Sequence, residues 1–210
     1  KAKHGRGFLE SSHSMKPTTT SPKLPKGIGV VRIIGGQWRR TQLPVASKPG
    51  LRPTPDRVRE TLFNWLGQSL AGWRCVDAFA GTGALGLEAA SRGAAYVQLI
   101  ESDAGLVAQL GAHALRLKAS AVEVQRGDGV ACLKQLASSS VDLVFIDPPF
   151  DSGLFDAALH AAARAIKADG FVYLEAPQRW GADALAALGL DVLRHLKAGA
   201  VHAHLLQRIA

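Results

Sequence analysis

Cysteine is almost missing from this chain: it has 2 in 210 residues, Cys75 and Cys132, each inside an apolar patterned segment. That excludes a disulfide framework and reads as two reduced core residues, the pattern of a cytoplasmic protein. No apolar run is long enough to cross a bilayer, and the first residues lack the charged-then-apolar pattern of a secretory signal. The 7 histidines show no metal-ligand spacing. His202 and His204 would share one face of a strand, but no third ligand is in view, so they read as surface or packing residues and no metal site is expected. What remains is ordinary globular material, 47% apolar, long enough for one domain with at most a small appendage. A monomer is expected.

Acidic residues are scarce at the start. Residues 1–60 hold 13 of the 25 Lys/Arg but 3 of the 17 Asp/Glu, a balance of +10; the rest of the chain is at −2, which together give +8. A nearly neutral domain behind a strongly basic leader suggests a polyanionic partner, most often nucleic acid. A solvated tail is the competing reading.

Residues 1–27 are rich in Ser, Thr, Pro and Lys without periodicity and read as a disordered basic leader. Met15 is the chain's one methionine, so a native start there, with residues 1–14 added ahead of it, stands beside a native leader throughout. Residues 28–50 read as strand, Gly35-Gly36 turn, strand: a β-hairpin. Arg32, Arg39 and Arg40 stud it around Trp38, a combination that clamps phosphates and stacks bases; a hairpin that merely packs Trp38 on the domain is the alternative. Residues 51–66 then predict a helix with Thr54 as N-cap, Pro55 at the first helical position, and Val58, Leu62, Trp65 and Leu66 along one face. Arg52, Arg57 and Arg59 would stand at its open end, within reach of a substrate.

From Trp73 the pattern alternates. Strands are predicted at 75–79, 96–100, 122–125, 141–146 and 171–175. Helices are predicted from the 81–86 glycine loop to about 91, at 103–118, from 129 to about 136, at 154–167 and near 183–188. Residues 190–196 and 201–209 would close the sheet edge as an antiparallel hairpin. Repeated βα units imply a doubly wound, Rossmann-like α/β sheet over residues 51–210, with ligands at the carboxyl ends of its strands.

The stretch from Val141 to Phe150 carries the most chemistry. Its apolar run suits a strand buried on both faces, and it stops at Asp147-Pro148-Pro149-Phe150. Two prolines have fixed φ and no N–H, so they end the strand in a rigid loop whose exposed groups are acceptors. Acceptors beside an aromatic face suit a planar base with an amino group. A turn with Phe150 in the core is the plainer reading.

Gly81-x-Gly83-x-x-Gly86 matches the dinucleotide fingerprint, with Glu101 where a ribose-binding acid belongs. Asp77, however, would put a negative charge against a pyrophosphate. S-adenosylmethionine has no phosphate and brings an ammonium and a sulfonium, so an acid there fits it better. Glu101 can accept from the ribose hydroxyls and Asp128 from an adenine amino group; Asp128 also reads as a helix N-cap, and the two roles are compatible.

Asp77-x-Phe79-Ala80-Gly81-Thr-Gly83-Ala-Leu-Gly86, Glu101, Asp128 and Asp147-Pro148-Pro149-Phe150 resemble the motifs of class I methyltransferases acting on exocyclic amino groups. With Arg32-Ile-Ile-Gly-Gly-Gln-Trp38-Arg39-Arg40 and the segment from Leu51 to Leu66, the chain resembles the RsmD family from about Val31 to Ile209. Those bacterial enzymes methylate N2 of a guanine in 16S ribosomal RNA. The long basic leader is the departure from the family. The resemblance implies a seven-stranded sheet and S-adenosylmethionine as cofactor, with Phe79, Ala80, Ser102, Gly129, Thr54 and Arg57 among its contacts. It further implies Asp147, Pro148, Pro149 and Phe150 as the catalytic loop, and the 16S RNA or a small-subunit assembly intermediate as partner. The four-residue loop also serves adenine-N6 and cytosine-N4 enzymes on DNA or RNA, although 210 residues show no target-recognition domain. A non-catalytic RNA-binding assembly factor is the alternative from another class.

Overall fold

The computed structural model of the protein describes residues 29–46, 48, 51 and 53–209. The leader at 1–27 and Arg52 lie outside the described residues. Nine strands and six helices follow in the order β1 (Gly29–Arg32), β2 (Gln42–Val45), α1 (Asp56–Trp65), β3 (Arg74–Asp77), α2 (Ala84–Ser91), β4 (Tyr96–Glu101), α3 (Ala104–Arg116), β5 (Val122–Arg126), α4 (Gly129–Gln135), β6 (Val141–Ile146), α5 (Phe155–Ala165), β7 (Ile166–Ala176), α6 (Ala182–Ala186), β8 (Leu190–Ala198) and β9 (Val201–Arg208).

The main sheet has seven strands in the order β5-β4-β3-β6-β7-β9-β8. β5, β4, β3, β6 and β7 run parallel. β9 enters antiparallel between β7 and β8, so the expected closing hairpin forms the far edge. The parallel strands bury both faces, which is why their sequences are near-continuous apolar runs. On one face α1, α2 and α3 bring Phe63, Leu87 and Leu110 onto Cys75, Leu143, Phe145 and Tyr173. On the other, α4, α5 and α6 bring Leu133, Leu159 and Leu185 onto Val76, Val144 and Val172. Each such fully buried side chain contributes about 1.5–3 kcal/mol. Both cysteines are buried and unpaired.

β1 and β2 pair antiparallel from Gly29↔Val45 to Arg32↔Gln42, but the expected Gly35-Gly36 turn is not what joins them. The connection runs from Ile33 to Thr41 and folds onto the C-terminal end of α2. The N–H groups of Ile34 and Gly35 donate to the Glu88 carboxylate at 2.8 and 2.7 Å. Gln37 N–H donates to the Ser91 carbonyl at 2.8 Å, and Trp38 N–H to the Ser91 hydroxyl at 3.0 Å. The glycine pair serves this contact. Gly36 has φ 73, and a Cβ there would overlap the Ser91 carbonyl; one at Gly35 would overlap the Arg92 guanidinium. Trp38 is half-buried, its ring packed against the core.

The helix at α1 begins at Asp56, one residue later than Thr54 as cap would require. Pro55 occupies the cap position and no side chain caps the helix. Thr54 is buried and its hydroxyl turns inward to Glu175.

Candidate active site

Strand order reverses between β3 and β6, where the loops that follow them diverge and leave a crevice. Its enclosed part, about 120 Å³, is lined by Leu51, Pro53, Thr54, Asp77, Phe79, Ala80, Gly81, Thr82, Ala84, Leu85, Asp147 and Pro149. The sheet register explains the carboxylates at its floor. Asp77 pairs with Phe145 and Phe145 with Tyr173. Side chains two apart on a strand share a face, so Asp147 and Glu175 stand side by side one step beyond that row. Phe145 packs edge-on against Tyr173, with ring centroids 6.2 Å apart.

Asp77 is 2% exposed, and its Oδ2 accepts the Gly86 N–H at 3.0 Å. Burial pushes its pKa up to about 7, against the pull of the Gly86 and Phe79 N–H groups. Asp147 is half-buried. Burial, then the charges of Glu175 and Asp77, hold its pKa well above the ordinary carboxylate range. Glu175 is raised by burial too, while the hydroxyls of Tyr173 and Thr54 oppose the rise. Three neighbouring carboxyls cannot all ionise cheaply. The crevice is therefore built to receive positive charge or to hold protons.

The residues present fit S-adenosylmethionine. Asp77 would be the acid for its cationic amino-acid end. Glu101 ends β4 beside the glycine loop: its Oε2 accepts Gly81 N–H at 2.9 Å and its Oε1 accepts Asp103 N–H at 2.8 Å and the Ser102 hydroxyl at 3.3 Å. Oε2 keeps a lone pair for a ribose hydroxyl. Asp128 is the N-cap of α4, its Oδ1 accepting Ala131 N–H at 2.7 Å; Oδ2 is left for an adenine amino group. Gly83 precedes α2 in the left-handed conformation. Gly129 packs against Ala78 and Phe79. Arg57 is exposed at the start of α1.

The loop after β6 presents free acceptors. Among the described residues no donor reaches the Asp147 carboxylate or the Pro148 carbonyl, whereas the Pro149 carbonyl accepts Ser152 N–H at 3.0 Å. Phe150 is 40% exposed. It lies outside the core, as the base-stacking reading requires.

Arg59 departs from the expectation of a substrate-facing cation. It is 1% exposed because it is spent on structure. Its Nη2 donates to Asp56 at 2.6 Å and to the Arg32 carbonyl at 2.9 Å, its Nε to the Thr54 carbonyl at 3.1 Å, and its Nη1 pairs with Glu88 at 3.4 Å. Arg32, exposed, also binds Asp56 at 2.6 Å. Arg39 and Arg40 are exposed, but beside the C-terminal end of α2. The crevice lies at the other end of this 8-residue helix, about 12 Å away along its axis. Glu175 and Glu88 were not anticipated from the sequence. His204 is buried, its Nε2 accepting the Trp180 N–H at 3.2 Å. No group of three or more His, Cys, Asp or Glu suited to a metal occurs among the described residues.

The seven-stranded sheet with its N-terminal hairpin and carboxyl-end crevice is that of a class I methyltransferase. The family described as Conserved hypothetical protein 95 matches residues 31–207, and the chain belongs to that family, the RsmD family. It is 49% identical over 134 residues to the ribosomal RNA small subunit methyltransferase D of Escherichia coli, covering 64% of this chain and 67% of that one. The protein of the same name from Haemophilus influenzae is 41% identical over 158 residues, 73% of this chain and 82% of that one. Among solved structures, a candidate methyltransferase from Escherichia coli superposes with a TM-score of 0.73 at 38% identity, over 86% of this chain and 98% of its own.

Proposed function

We propose that this protein transfers a methyl group from S-adenosylmethionine to the exocyclic N2 of a guanine in small-subunit (16S) ribosomal RNA. The carrying observation is the pair of unengaged acceptors, the Asp147 carboxylate and the Pro148 carbonyl, beside the exposed Phe150 ring. Support comes from relatives named as small-subunit methyltransferases.

The amino nitrogen of guanine is a poor nucleophile because its lone pair is delocalised into the ring. Asp147 and the Pro148 carbonyl accept its two hydrogens, which lets the nitrogen pyramidalise and aim its lone pair outward. Phe150 holds the unpaired base by stacking on its face. When bound, the cofactor supplies an electrophilic methyl group on sulfur. Attack by the nitrogen on that methyl group would leave the nitrogen positive, with Asp147 placed to take the proton it then sheds. No covalent intermediate with the protein is needed; orientation and the negative floor of the crevice supply the catalysis.

The test is to incubate the protein with methyl-labelled cofactor and naked 16S RNA, small subunits or DNA, and to identify the labelled nucleoside by mass spectrometry. N2-methylguanosine in RNA is expected. Label in N6-methyladenine or N4-methylcytosine would move the reading to the other amino-methyltransferases. Failure to bind the cofactor would favour an assembly factor without catalysis.

A further inference from the structure

A larger cleft lies away from the crevice, between the β1–β2 connection and the C-terminal half of α1. Its volume is about 530 Å³, and Gly36, Arg39, Glu60, Asn64, Gln68 and Arg92 are among the residues that line it. That volume falls in the range of small-ligand sites. We propose that it is a second RNA site, which holds one unpaired nucleotide of the substrate RNA apart from the base being methylated. The inference rests on reading the chain as a ribosomal RNA methyltransferase.

The cations of the cleft come first. Arg92 is 9% exposed. Its Nε donates to Glu88 at 2.8 Å and its Nη1 to the carbonyl and side-chain oxygens of Gln68 at 3.4 and 3.2 Å. Its Nη2 has no partner among the described residues, yet is not sealed from solvent. The buried Glu88 is faced by both Arg59 and Arg92, and Arg59 is also paired with Asp56, so the charges behind the cleft wall balance and what Arg92 offers the cleft is its Nη2 donor. Arg39 adds a second guanidinium at the rim. Guanidinium groups in a fixed frame are phosphate ligands.

A phosphate alone would not need the opposite wall. There Glu60 and Asn64, one helical turn apart on α1, present a carboxylate beside an amide. The Gln68 amide donates to Asn64 Oδ1 at 2.8 Å, and the Asn64 amide N–H groups have no partner among the described residues. A carboxylate next to an amide N–H complements the mixed donor and acceptor edge of a nucleobase. Unpaired bases with exposed edges are what proteins read in RNA. The cleft, at Arg92, and the catalytic crevice, at Ala84 and Leu85, lie at opposite ends of α2, about 12 Å apart along its axis, so one RNA strand can reach both.

The test uses the full chain, a fluorescently labelled 16S RNA fragment and purified small subunits. Asn64→Leu, Glu60→Ala and Arg39→Ala are compared for RNA affinity across salt, KM for RNA, kcat at saturating RNA, and cofactor affinity, with folding checked by thermal melts. Each variant should raise KM for RNA about tenfold, a loss of about 1.4 kcal/mol, and leave kcat and cofactor affinity unchanged. Arg39→Ala should also flatten the slope of log affinity against log salt by about 0.7. Asn64→Leu and Glu60→Ala should keep the parental slope. Parental affinity in all three overturns the proposal. So does an effect confined to Arg39→Ala, which would mean a phosphate contact with no base held. A wild-type protein that binds RNA but methylates nothing would sink the enzymatic reading and not this one, because affinity is read directly.

Discussion

Tyr173 donates its hydroxyl to Glu175 at 2.8 Å, wholly buried, at the point where Glu175 stands beside Asp147 across β6 and β7. This relationship ties the Asp147–Phe150 loop to the core of the sheet. Glu175 keeps Asp147 basic, and Tyr173 and Thr54 keep Glu175 in place.

Glu175→Gln should therefore shift the pH dependence of methyl transfer. Asp147 must be ionised to take the proton, so the rate falls as pH falls through its pKa. In the parent that acid limb should lie well above the ordinary carboxylate value of about 3.9, because Asp147 is raised. Removing the Glu175 charge lowers the Asp147 pKa and should move the limb to lower pH. Single-turnover rates between pH 5 and 9 check this. A limb in the same place for both proteins would remove Glu175 from the site.

Cofactor affinity should rise with pH up to about 7. Asp77 is protonated below that value, and a cationic ligand binds its ionised form. One proton must then be released, so log affinity should climb by up to about one per pH unit below 7 and level off above. Calorimetry in two buffers of different ionisation enthalpy measures the proton directly. The same shift has a stability sign. The folded pKa is above the unfolded one, so the stability present below about pH 4 is lost as pH rises toward 7. Asp77→Asn should thus be more stable than the parent at pH 8, by a few kcal/mol in order of magnitude, while binding the cofactor more weakly without pH dependence. A parent whose affinity is flat from pH 5 to 8 would contradict the role given to Asp77.

The alternation of apolar runs with glycine and helical segments placed the parallel strands of the domain, because each parallel strand is buried on both faces and reads as a continuous stretch. The crevice was equally readable: Asp77, Glu101, Asp128 and Asp147 each end a strand or open a helix, where the fold delivers ligands. Three things besides Glu175 were not readable. Arg59 looks like any helix-end arginine until the chain is folded and Glu88 and Asp56 close on it. Glu88 sits in a run of Ala and Leu, and apart from Arg92 one turn on its partners lie 29 or more residues away in Arg59, Ile34 and Gly35. The Gly35-Gly36 pair has the local signature of a tight turn, and its true requirement, room against Ser91 and Arg92, comes from a distant helix.

Asp147→Ala should abolish turnover and leave cofactor affinity nearly unchanged, because its partner is the base. Phe150→Ala should lose rate; Phe150→Tyr should keep much of it, since the stacking face survives. Labelled-methyl incorporation and calorimetry on the same preparations separate the two effects. An Asp147→Ala variant that turns over near the parental rate would refute the proposed role of the loop.

Glu88→Ala should be the most destabilising single change in the hairpin's attachment. The Glu88 side chain is fully buried and accepts Ile34 N–H at 2.8 Å, Gly35 N–H at 2.7 Å and Arg92 Nε at 2.8 Å, with Arg59 at 3.4 Å. Removing the carboxylate leaves two buried guanidinium groups facing each other and two backbone donors without an acceptor. Breaking a buried pair from one side typically costs about 3–5 kcal/mol. Glu88→Gln should cost less, because the amide oxygen can still accept from one of the two N–H groups. Denaturant unfolding measures the totals, and hydrogen exchange locates the damage: Ile34 and Gly35 should lose protection before the strands of the main sheet do. RNA affinity should fall with the hairpin's order. Cofactor affinity should stay near the parental value, since α2 meets the crevice at its opposite end. A Glu88→Ala protein within about 1 kcal/mol of the parent, with both amides still protected, would show that the hairpin is held by its apolar contacts through Ile33 and Leu43 instead.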